Sequence, residues 1–313
     1  MLALTSITGK LGNAVLTAIT SHALLPPSQL ILCTSSPLSS PHWTTLQAAG
    51  ARLRPFNFHA PDASTFAGCT KLFLVSSPDI ALDFNDAPEG KGREGAHMAV
   101  IDAAVEAGVS HVYYTSLAFG ARSKAGVMRA HLRTEGYLRG LEGRGRVRVT
   151  VIREGLYSES WPLYLGYFYL AGKGEERDEI VVAGDGRVCW TAIKDLGLGT
   201  ALVLVDGSAR WEGKTFYLSG APEMARSLGE MAGLVGKARG REARVKVVGR
   251  EEYVEYYVGR GRERSAVEWW SSSYQALEEG ECEIRDGTLG ELLASRGVTL
   301  KPVEETVKEM FGA

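Results

Sequence analysis

The sequence predicts an α/β protein with a doubly wound parallel sheet in its first half and a smaller α+β lobe in its second half. In the first half, short and almost continuously apolar segments alternate with segments whose apolar residues recur at helical spacing. Parallel strands that are covered by helices on both faces have this pattern, and right-handed crossovers then produce a doubly wound sheet. The alternation weakens after about Gly155. We therefore expect a main domain over residues 1–155 and a smaller lobe over residues 156–313 that is interleaved with it.

The individual elements follow from short apolar runs, helical periodicity and end signals. Strands are expected at residues 2–5, 30–33, 52–56, 71–75, 111–115 and 147–152. Helices are expected between them at residues 10–20, 41–49, 95–107 and 124–141. Pro41 suits the first position of the second helix, and Gly108 suits the end of the third. In the second half we expect strands at 180–183 and 215–218, and helices at 195–205, 228–235, 251–258 and 302–311.

Composition excludes several classes of protein. The 313 residues are 45% hydrophobic and 23% charged, which is typical of a globular chain with a sizeable core. The net charge of −2 gives no reason to expect nucleic acid or a membrane as a partner, and no apolar run approaches the ~20 residues that span a bilayer. The four cysteines are scattered without a metal or redox motif, so no metal is expected. A cytoplasmic location is expected, because the N-terminus begins with a strand pattern rather than a signal peptide.

The strongest local signal is the segment LTSITGKLG at residues 4–12, which follows the first strand and begins the first helix. In a doubly wound sheet this turn binds the diphosphate of a dinucleotide, because the helix N-terminus offers free N–H donors and a partial positive charge. Gly9 would let the backbone approach the diphosphate, and Gly12 would let helix and strand pack closely. The turn predicts a Rossmann-like site whose contacts come from five consecutive residues: Thr8, Gly9, Lys10, Leu11 and Gly12. Ser6 stands where such turns usually have glycine, and a positive φ there would cost roughly 1 kcal/mol or more.

Hydroxyl residues follow the second and fourth strands. Ser35 and Ser36 stand where an acidic residue would select NAD or an arginine would select NADP, and neither charge is present. Because hydroxyls can donate to a phosphate and no carboxylate repels it, NADP(H) is favoured as the cofactor. Ser76 and Ser77 are predicted to line the path towards the nicotinamide. The polar segment 79–94 that follows is long for a compact domain, which suggests a substrate lid or rim.

Three side chains are candidate proton donors, and the Tyr-x-x-x-Lys pair of common short-chain dehydrogenases is absent. Tyr157 ranks first, because it follows Gly155 and Leu156 at the end of the sixth strand, where Gly155 would permit close approach of a flat ring. Ser116 ranks second, next to Thr115 at the end of the fifth strand. His131 ranks third, in the place of the missing lysine on the long helix. A buried supporting tyrosine is the alternative for Tyr157, and a structural histidine is the alternative for His131.

Several segments, in their order and spacing, resemble the NmrA-like family of atypical short-chain dehydrogenase/reductases. The matching segments are residues 8–12, 114–117, 131 with 134–135, 152–158, 183–186 and 288–293, and the likeness covers nearly the whole chain. It is greatest to the quinone-oxidoreductase branch and to fungal oxidoreductases of secondary metabolism. The resemblance implies an NAD(P)-binding domain with a small C-terminal lobe. It also implies that residues 9–12, Ser76, Ser77 and residues 155–157 contact NADP(H), and Thr115 is a further candidate contact of the cofactor.

These observations lead to a hypothesis of hydride transfer from NADPH to a quinone-like or unsaturated carbonyl small molecule. A quinone is favoured because its product has a pKa of about 10 and a delocalised charge, so that no strongly activated acid is needed. Two alternatives remain open: a redox-sensing regulator that binds the dinucleotide without turnover, and a non-redox isomerase or ring-opening enzyme on the same fold. The oligomeric state is also open, with a homodimer as one option.

Overall fold

A computed structural model describes residues 1–168 and 177–312 of the chain. Its main sheet has seven parallel strands in the order β3-β2-β1-β4-β5-β6-β8, and β7 pairs with β9 in a separate sheet of two parallel strands. The strands are β1 (Leu2–Leu4), β2 (Leu30–Thr34), β3 (Arg52–Pro55), β4 (Lys71–Leu74), β5 (His111–Leu117), β6 (Arg148–Glu154), β7 (Glu179–Val182), β8 (Lys214–Leu218) and β9 (Arg244–Val247). Successive strands extend the sheet in one direction from β1 to β3 and in the opposite direction from β4 onwards. The predicted doubly wound, Rossmann-like fold class is therefore confirmed.

Helices cover both faces of the main sheet. The helices of the described residues are α1 (Lys10–Ser21), α2 (Thr44–Ala48), α3 (Arg93–Glu106), α4 (Gly126–Gly143), α5 (Trp161–Tyr164), α6 (Ile193–Val205), α7 (Leu228–Arg239), α8 (Arg250–Val258), α9 (Arg264–Glu278), α10 (Thr288–Ala294) and α11 (Val303–Met310). On one face, α1 and α6 share a hydrophobic core with the strands, and Gly197 allows α6 to lie directly against Ala14 of α1. On the other face, α3 and α4 bury apolar side chains that include Val100 and Leu138.

The strands alternate little between polar and apolar residues where both of their faces are covered. All residues of β1 and β2 are buried, as expected for the centre of a parallel sheet. β3 forms the edge and is only partly buried, and Pro55 at its end suits an edge strand because proline cannot donate to a further strand. The alternation of apolar runs with segments of helical period therefore predicts the strands and helices of the first half of the chain.

The second half of the chain contributes to both the main sheet and a separate core. β8 pairs with β6 and α6 packs on α1, so both elements lie in the main domain although they follow residue 155. The boundary at residue 155 itself stays a prediction. The separate core is rich in aromatic side chains, and it buries Trp161, Tyr164 and Phe168, in agreement with core packing as the commoner role of such residues.

Two elements differ from those expected. The second helix begins as a 3-10 turn at Pro41–Trp43 and only then becomes α2, as is frequent at helix N-termini. The helix α9 was not expected, although its buried residues Val267, Trp270, Tyr274 and Leu277 recur at helical spacing. Within the described residues, no helix is long and apolar enough to cross a membrane.

Candidate functional site

A cavity of about 550 Å³ lies beyond the carboxyl ends of β1, β2 and β4, where the strand order reverses. Ligands of doubly wound sheets bind at this point, since the loops from neighbouring strands separate there. The lining residues are Ser6, Thr8, Gly9, Lys10, Leu11, Gly12, Cys33, Thr34, Ser35, Phe56, Asn57, Phe58, His59, Val75, Ser76, Ser77, Pro78, Asp79 and Tyr157. We call this the nucleotide cavity.

The nucleotide cavity brings together most of the predicted contact residues. Thr8, Gly9, Lys10, Leu11, Gly12, Ser35, Ser76, Ser77 and Tyr157 all line it. Ser36 lines a second cavity that adjoins it. The remaining three, Thr115, Gly155 and Leu156, are not among the described lining residues. Thr115 is buried behind the wall and its Oγ1 accepts a hydrogen bond from the Ser76 N–H (3.3 Å), whereas Gly155 is packed against the Thr191 side chain. Direct contact of these three with a cofactor stays a prediction.

The turn before α1 has the geometry of an anion-binding site. The Gly9 N–H donates to the Ser6 carbonyl oxygen (2.8 Å), and among the described side chains none caps the helix that begins at Lys10. No acidic residue lies in the first turn of α1. Its first N–H groups therefore face the cavity with the positive end of the helix dipole and without an internal partner.

Gly12 lets α1 begin directly against this turn. A Cβ atom at Gly12 would lie 2.2 Å from the Ser6 carbonyl oxygen and 2.7 Å from the Ser6 carbonyl carbon. Both are backbone atoms, so the collision could not be relieved by a side-chain rotation. The close packing expected at Gly12 is present, although its partner is the turn that follows β1.

Ser6 adopts the left-handed backbone conformation that was expected to be costly there, with a φ of 53°. We expect Ser6→Gly to raise the free energy of unfolding by about 0.5–1 kcal/mol, because the relief of left-handed strain exceeds the extra backbone entropy of glycine in the unfolded chain. Urea denaturation would measure this change. Ser6→Ala keeps the strain and is the matched control. Equal stabilities of the two variants would contradict the prediction.

The Ser76–Ser77 turn is held from behind by a histidine that the sequence analysis missed. The Ser77 N–H donates to His97 Nε2 (2.9 Å), so the ring proton resides on Nδ1, which lies 2.9 Å from Thr134 Oγ1. Burial, followed by the charge of Arg93, lowers the pKa of His97 to about 3. The imidazole is therefore neutral at pH 7 and acts as a fixed acceptor. His97 lies within the expected third helix, and only its polar character on a buried helix face could have indicated it.

A buried ion pair fixes the same turn from the other side. Arg93 Nε donates to Asp83 Oδ2 (2.6 Å), and the Arg93 N–H donates to Asp83 Oδ1 (2.9 Å). Arg93 Nη1 also donates to Ser76 Oγ and to the Ser77 carbonyl oxygen, both at 3.2 Å. The two charged side chains are 5% and 2% exposed. The segment 79–94 is thus anchored, which favours the rim over the lid among the two expected roles.

Tyr157 is the catalytic candidate that lies at the cavity. Its backbone forms an isolated bridge with Thr191, and burial, followed by the charges of Glu154 and Glu159, raises the pKa of its phenol above the ordinary value. The phenol therefore keeps its proton at neutral pH. Burial also raises the pKa of Glu154 to about 8, and Glu154 Oε1 accepts a hydrogen bond from Thr200 Oγ1 (2.7 Å).

The other two catalytic candidates belong to buried networks, and neither is among the described lining residues. Ser116 Oγ donates to Glu135 Oε1 (2.7 Å), and the same carboxylate binds Arg153. His131 Nδ1 lies 2.9 Å from the Tyr114 hydroxyl, and burial lowers the pKa of the imidazole well below its ordinary value. These contacts explain both side chains structurally, because β5 and α4 must satisfy their buried polar groups. Catalytic roles for Ser116 and His131 stay predictions.

The chain is similar along almost its whole length to two curated proteins. It is 25% identical over 316 residues to an NmrA-like family domain-containing oxidoreductase of Aspergillus flavus, which covers 98% of this chain and 94% of the relative. It is 27% identical over 316 residues to quinone oxidoreductase 2 of Escherichia coli, which covers 99% of both chains. No family model matches the chain.

Solved structures show the same similarity in three dimensions. The triphenylmethane reductase of Citrobacter sp., complexed with NADP(H), is 27% identical with a TM-score of 0.76, and the match covers 99% of each chain. The NADPH-dependent quinone oxidoreductase of Escherichia coli, complexed with NADPH, is 25% identical with a TM-score of 0.79, and the match covers 99% of this chain and 100% of that one. The likeness therefore includes both halves of the fold.

Proposed function

Because this chain resembles the NmrA-like oxidoreductases of the atypical short-chain dehydrogenase/reductase type over its full length, we propose that it reduces a quinone-like or other unsaturated carbonyl small molecule with NADPH. The predicted resemblance, the oxidoreductase class and the NADP(H) cofactor are confirmed by relatives that are reductases with NADP(H) or NADPH in their structures. The quinone substrate and a role in secondary metabolism remain our proposal. It is supported by one relative that is a quinone oxidoreductase and another that is a fungal oxidoreductase.

The observation that carries the proposal is the nucleotide cavity with an uncapped helix N-terminus at one side and Tyr157 in its wall. The residues fit a pyridine dinucleotide. The first turn of α1 has free N–H donors and Lys10 for a diphosphate, and Gly12 lets the turn approach it. The anchored Ser76–Ser77 turn presents hydroxyl and backbone groups to the remainder of the cofactor.

The reaction needs a hydride and a proton. When bound, NADPH supplies the hydride, and the protein orients the two rings and delivers the proton. Reduction of a quinone by NADPH with one proton gives a hydroquinone and NADP+, so one carbonyl oxygen must be protonated at the site. The Tyr157 phenol is the donor that we assign. Burial raises the pKa of this phenol and so keeps its proton in place at neutral pH, where it is available to the hydroquinone product, whose ordinary pKa is about 10.

Tyr157→Phe is expected to slow single-turnover oxidation of NADPH by a quinone about 10²–10⁴-fold, because a positioned general acid contributes an effect of this size. Stopped-flow absorbance would follow NADPH, and fluorescence would measure its binding separately. Tyr137→Phe is the matched control, because that phenol lies on α4, contacts Asp102 of α3 and is not among the described lining residues of the cavity. Full activity of the Tyr157→Phe variant would rule out the assigned donor.

The same measurements on the unaltered protein distinguish the alternative functions. Binding of NADPH without oxidation by any of a panel of quinones would favour a redox-sensing regulator. Absence of NADPH and NAD+ binding would favour a non-redox isomerase or ring-opening enzyme. Oxidation of NADPH by a quinone is the result that we expect.

A further inference from the structure

The extra phosphate of NADPH is best bound by a positive partner, and the loop after β2 contains hydroxyl groups but no cation. A phosphate monoester carries about −1.5 to −2 charges at pH 7. NADP-binding sites of this fold usually meet it with an arginine near the end of the second strand. Here residues 34–37 are Thr-Ser-Ser-Pro, so any cation at this position must come from another element.

A second cavity, of about 840 Å³, adjoins the nucleotide cavity beyond the carboxyl ends of β2 and β3. The two cavities share Thr34, Ser35, Phe56 and Asn57 in their walls. A dinucleotide whose diphosphate lies at the turn before α1 places its adenosine ribose on this side of the sheet. We call this second space the ribose cavity, because the hydroxyls of Ser35 and Ser36 and the side chain of Arg54 all line it.

Arg54 is held in place in the wall of the ribose cavity. It lies on β3, and its partner on the neighbouring strand β2 is Cys33. Ser35 follows Cys33 by two residues. Arg54 Nη1 donates to the carbonyl oxygens of Ser64, Thr65 and Ala67 at 3.3, 2.9 and 2.8 Å. A guanidinium has five N–H donors, and within residues 1–168 and 177–312 the hydrogen bonds of Arg54 all use Nη1, which leaves the N–H groups on Nε and Nη2 for a ligand. Such an anchored fork is well suited to bind a phosphate through two hydrogen bonds.

The other basic and acidic residues of the two cavities either lie at the diphosphate end or already have a hydrogen-bond partner. Among the described lining residues, the basic ones besides Arg54 are Lys10 and His59. Lys10 lies at the start of α1, at the diphosphate end, and His59 Nε2 pairs with Asp79 Oδ2 at 2.5 Å. Asp62 is the acidic residue of the ribose cavity. Its Oδ1 accepts a hydrogen bond from the Ser64 N–H (2.8 Å), so the carboxylate is bound to the backbone.

We propose that Arg54 recognises the 2′-phosphate of NADPH, with the Ser35 and Ser36 hydroxyls as additional donors, and so makes the protein select NADPH over NADH. This inference rests on the proposed function, because it assumes that a pyridine dinucleotide occupies the nucleotide cavity. It assigns cofactor selection to a side chain of the third strand rather than to the loop after the second.

Arg54→Gln tests the assignment through the dissociation constants of NADPH and NADH in the same protein. NADPH should bind about 10–100-fold more weakly, because charge-assisted hydrogen bonds are lost, while NADH binding should be nearly unchanged. The variant also loses the three hydrogen bonds to carbonyl oxygens. NADH binding controls for this loss, since damage to the cavity would weaken the binding of both cofactors. Arg52→Gln, at an exposed position two residues earlier on β3, is the matched control variant and should leave the ratio unchanged.

A second variant keeps the inference falsifiable if Arg54→Gln does not fold. Ser35 is exposed, and Ser35→Asp should weaken NADPH about tenfold or more by placing a like charge beside the phosphate, with NADH retained. An unchanged ratio of the two dissociation constants in either variant would overturn the proposal.

Adenosine 2′,5′-bisphosphate and adenosine 5′-monophosphate test the ribose cavity without the nicotinamide. Arg54-dependent preference for the bisphosphate in a protein that oxidises no NADPH would support this inference while the proposed function failed. Oxidation of NADPH by a protein whose preference for the bisphosphate does not depend on Arg54 would support the proposed function while this inference failed.

Discussion

Gly12→Ala is expected to reduce NADPH affinity roughly 100-fold and to lower the free energy of unfolding by about 1–3 kcal/mol. The added Cβ would lie 2.2 Å from the Ser6 carbonyl oxygen and 3.1 Å from the Ile7 nitrogen. Because these are backbone atoms, either the turn or the start of α1 must shift. A shift of this kind moves the N–H groups that we assign to the diphosphate, so NADPH binding should weaken together with the free energy of unfolding.

Fluorescence titration with NADPH and urea denaturation would measure the two effects. The matched control is Gly136→Ala on the exposed surface of α4, where a Cβ would meet no atom within 4 Å. That variant should be neutral or more stable by up to about 1 kcal/mol, since alanine is the better helix former. NADPH binding of unaltered strength in Gly12→Ala would show that the diphosphate lies elsewhere.

Arg93→Met is expected to lower the free energy of unfolding by about 3–5 kcal/mol, because it leaves the Asp83 carboxylate buried without its cation. It also removes the hydrogen bonds from Arg93 Nη1 to Ser76 and Ser77, so NADPH affinity should fall as the turn loosens. Chemical denaturation and NADPH titration would measure the two losses.

The double variant Asp83→Leu/Arg93→Met should be more stable than Arg93→Met alone, because no unpaired charge remains. The exposed ion pair of Arg264 with Glu255 provides a control, and Arg264→Met should lower the free energy of unfolding far less, because solvent screens an exposed pair. If Arg93→Met lowered the free energy of unfolding no more than this control, a structural role for the buried pair would be contradicted.

Periodicity was sufficient to predict the fold class and most of the elements. The strands at residues 30–34 and 71–74 are apolar on both faces, and the segment 10–21 has a clear helical period, so local pattern and final structure agree. The helix α9 was missed although its buried residues Val267, Trp270, Tyr274 and Leu277 recur at helical spacing, so its local sequence could have indicated it. The strand β9 was missed because its residues are mostly exposed, and its pairing with β7 rather than local sequence determines it.

The candidate site was predictable where it is local in sequence and unpredictable where it is not. The turn at residues 6–12 and the serines after β2 and β4 were found because a strand end marks each of them. Arg93, Asp83 and His97 were not found, because their roles depend on contacts with the Ser76–Ser77 turn that no spacing rule reports. Asn57 and Phe58 could have been found, since they follow β3 at the same edge of the sheet.

The order of the strands has a consequence for the chain as it leaves the ribosome. β6 ends at Glu154, but its outer neighbour β8 is complete only at Leu218. At synthesis rates of about 5–20 residues per second, the nascent protein exposes the open edge of β6 for several seconds. An unpaired strand edge is a site for aberrant pairing, so this interval is when a chaperone has most to protect.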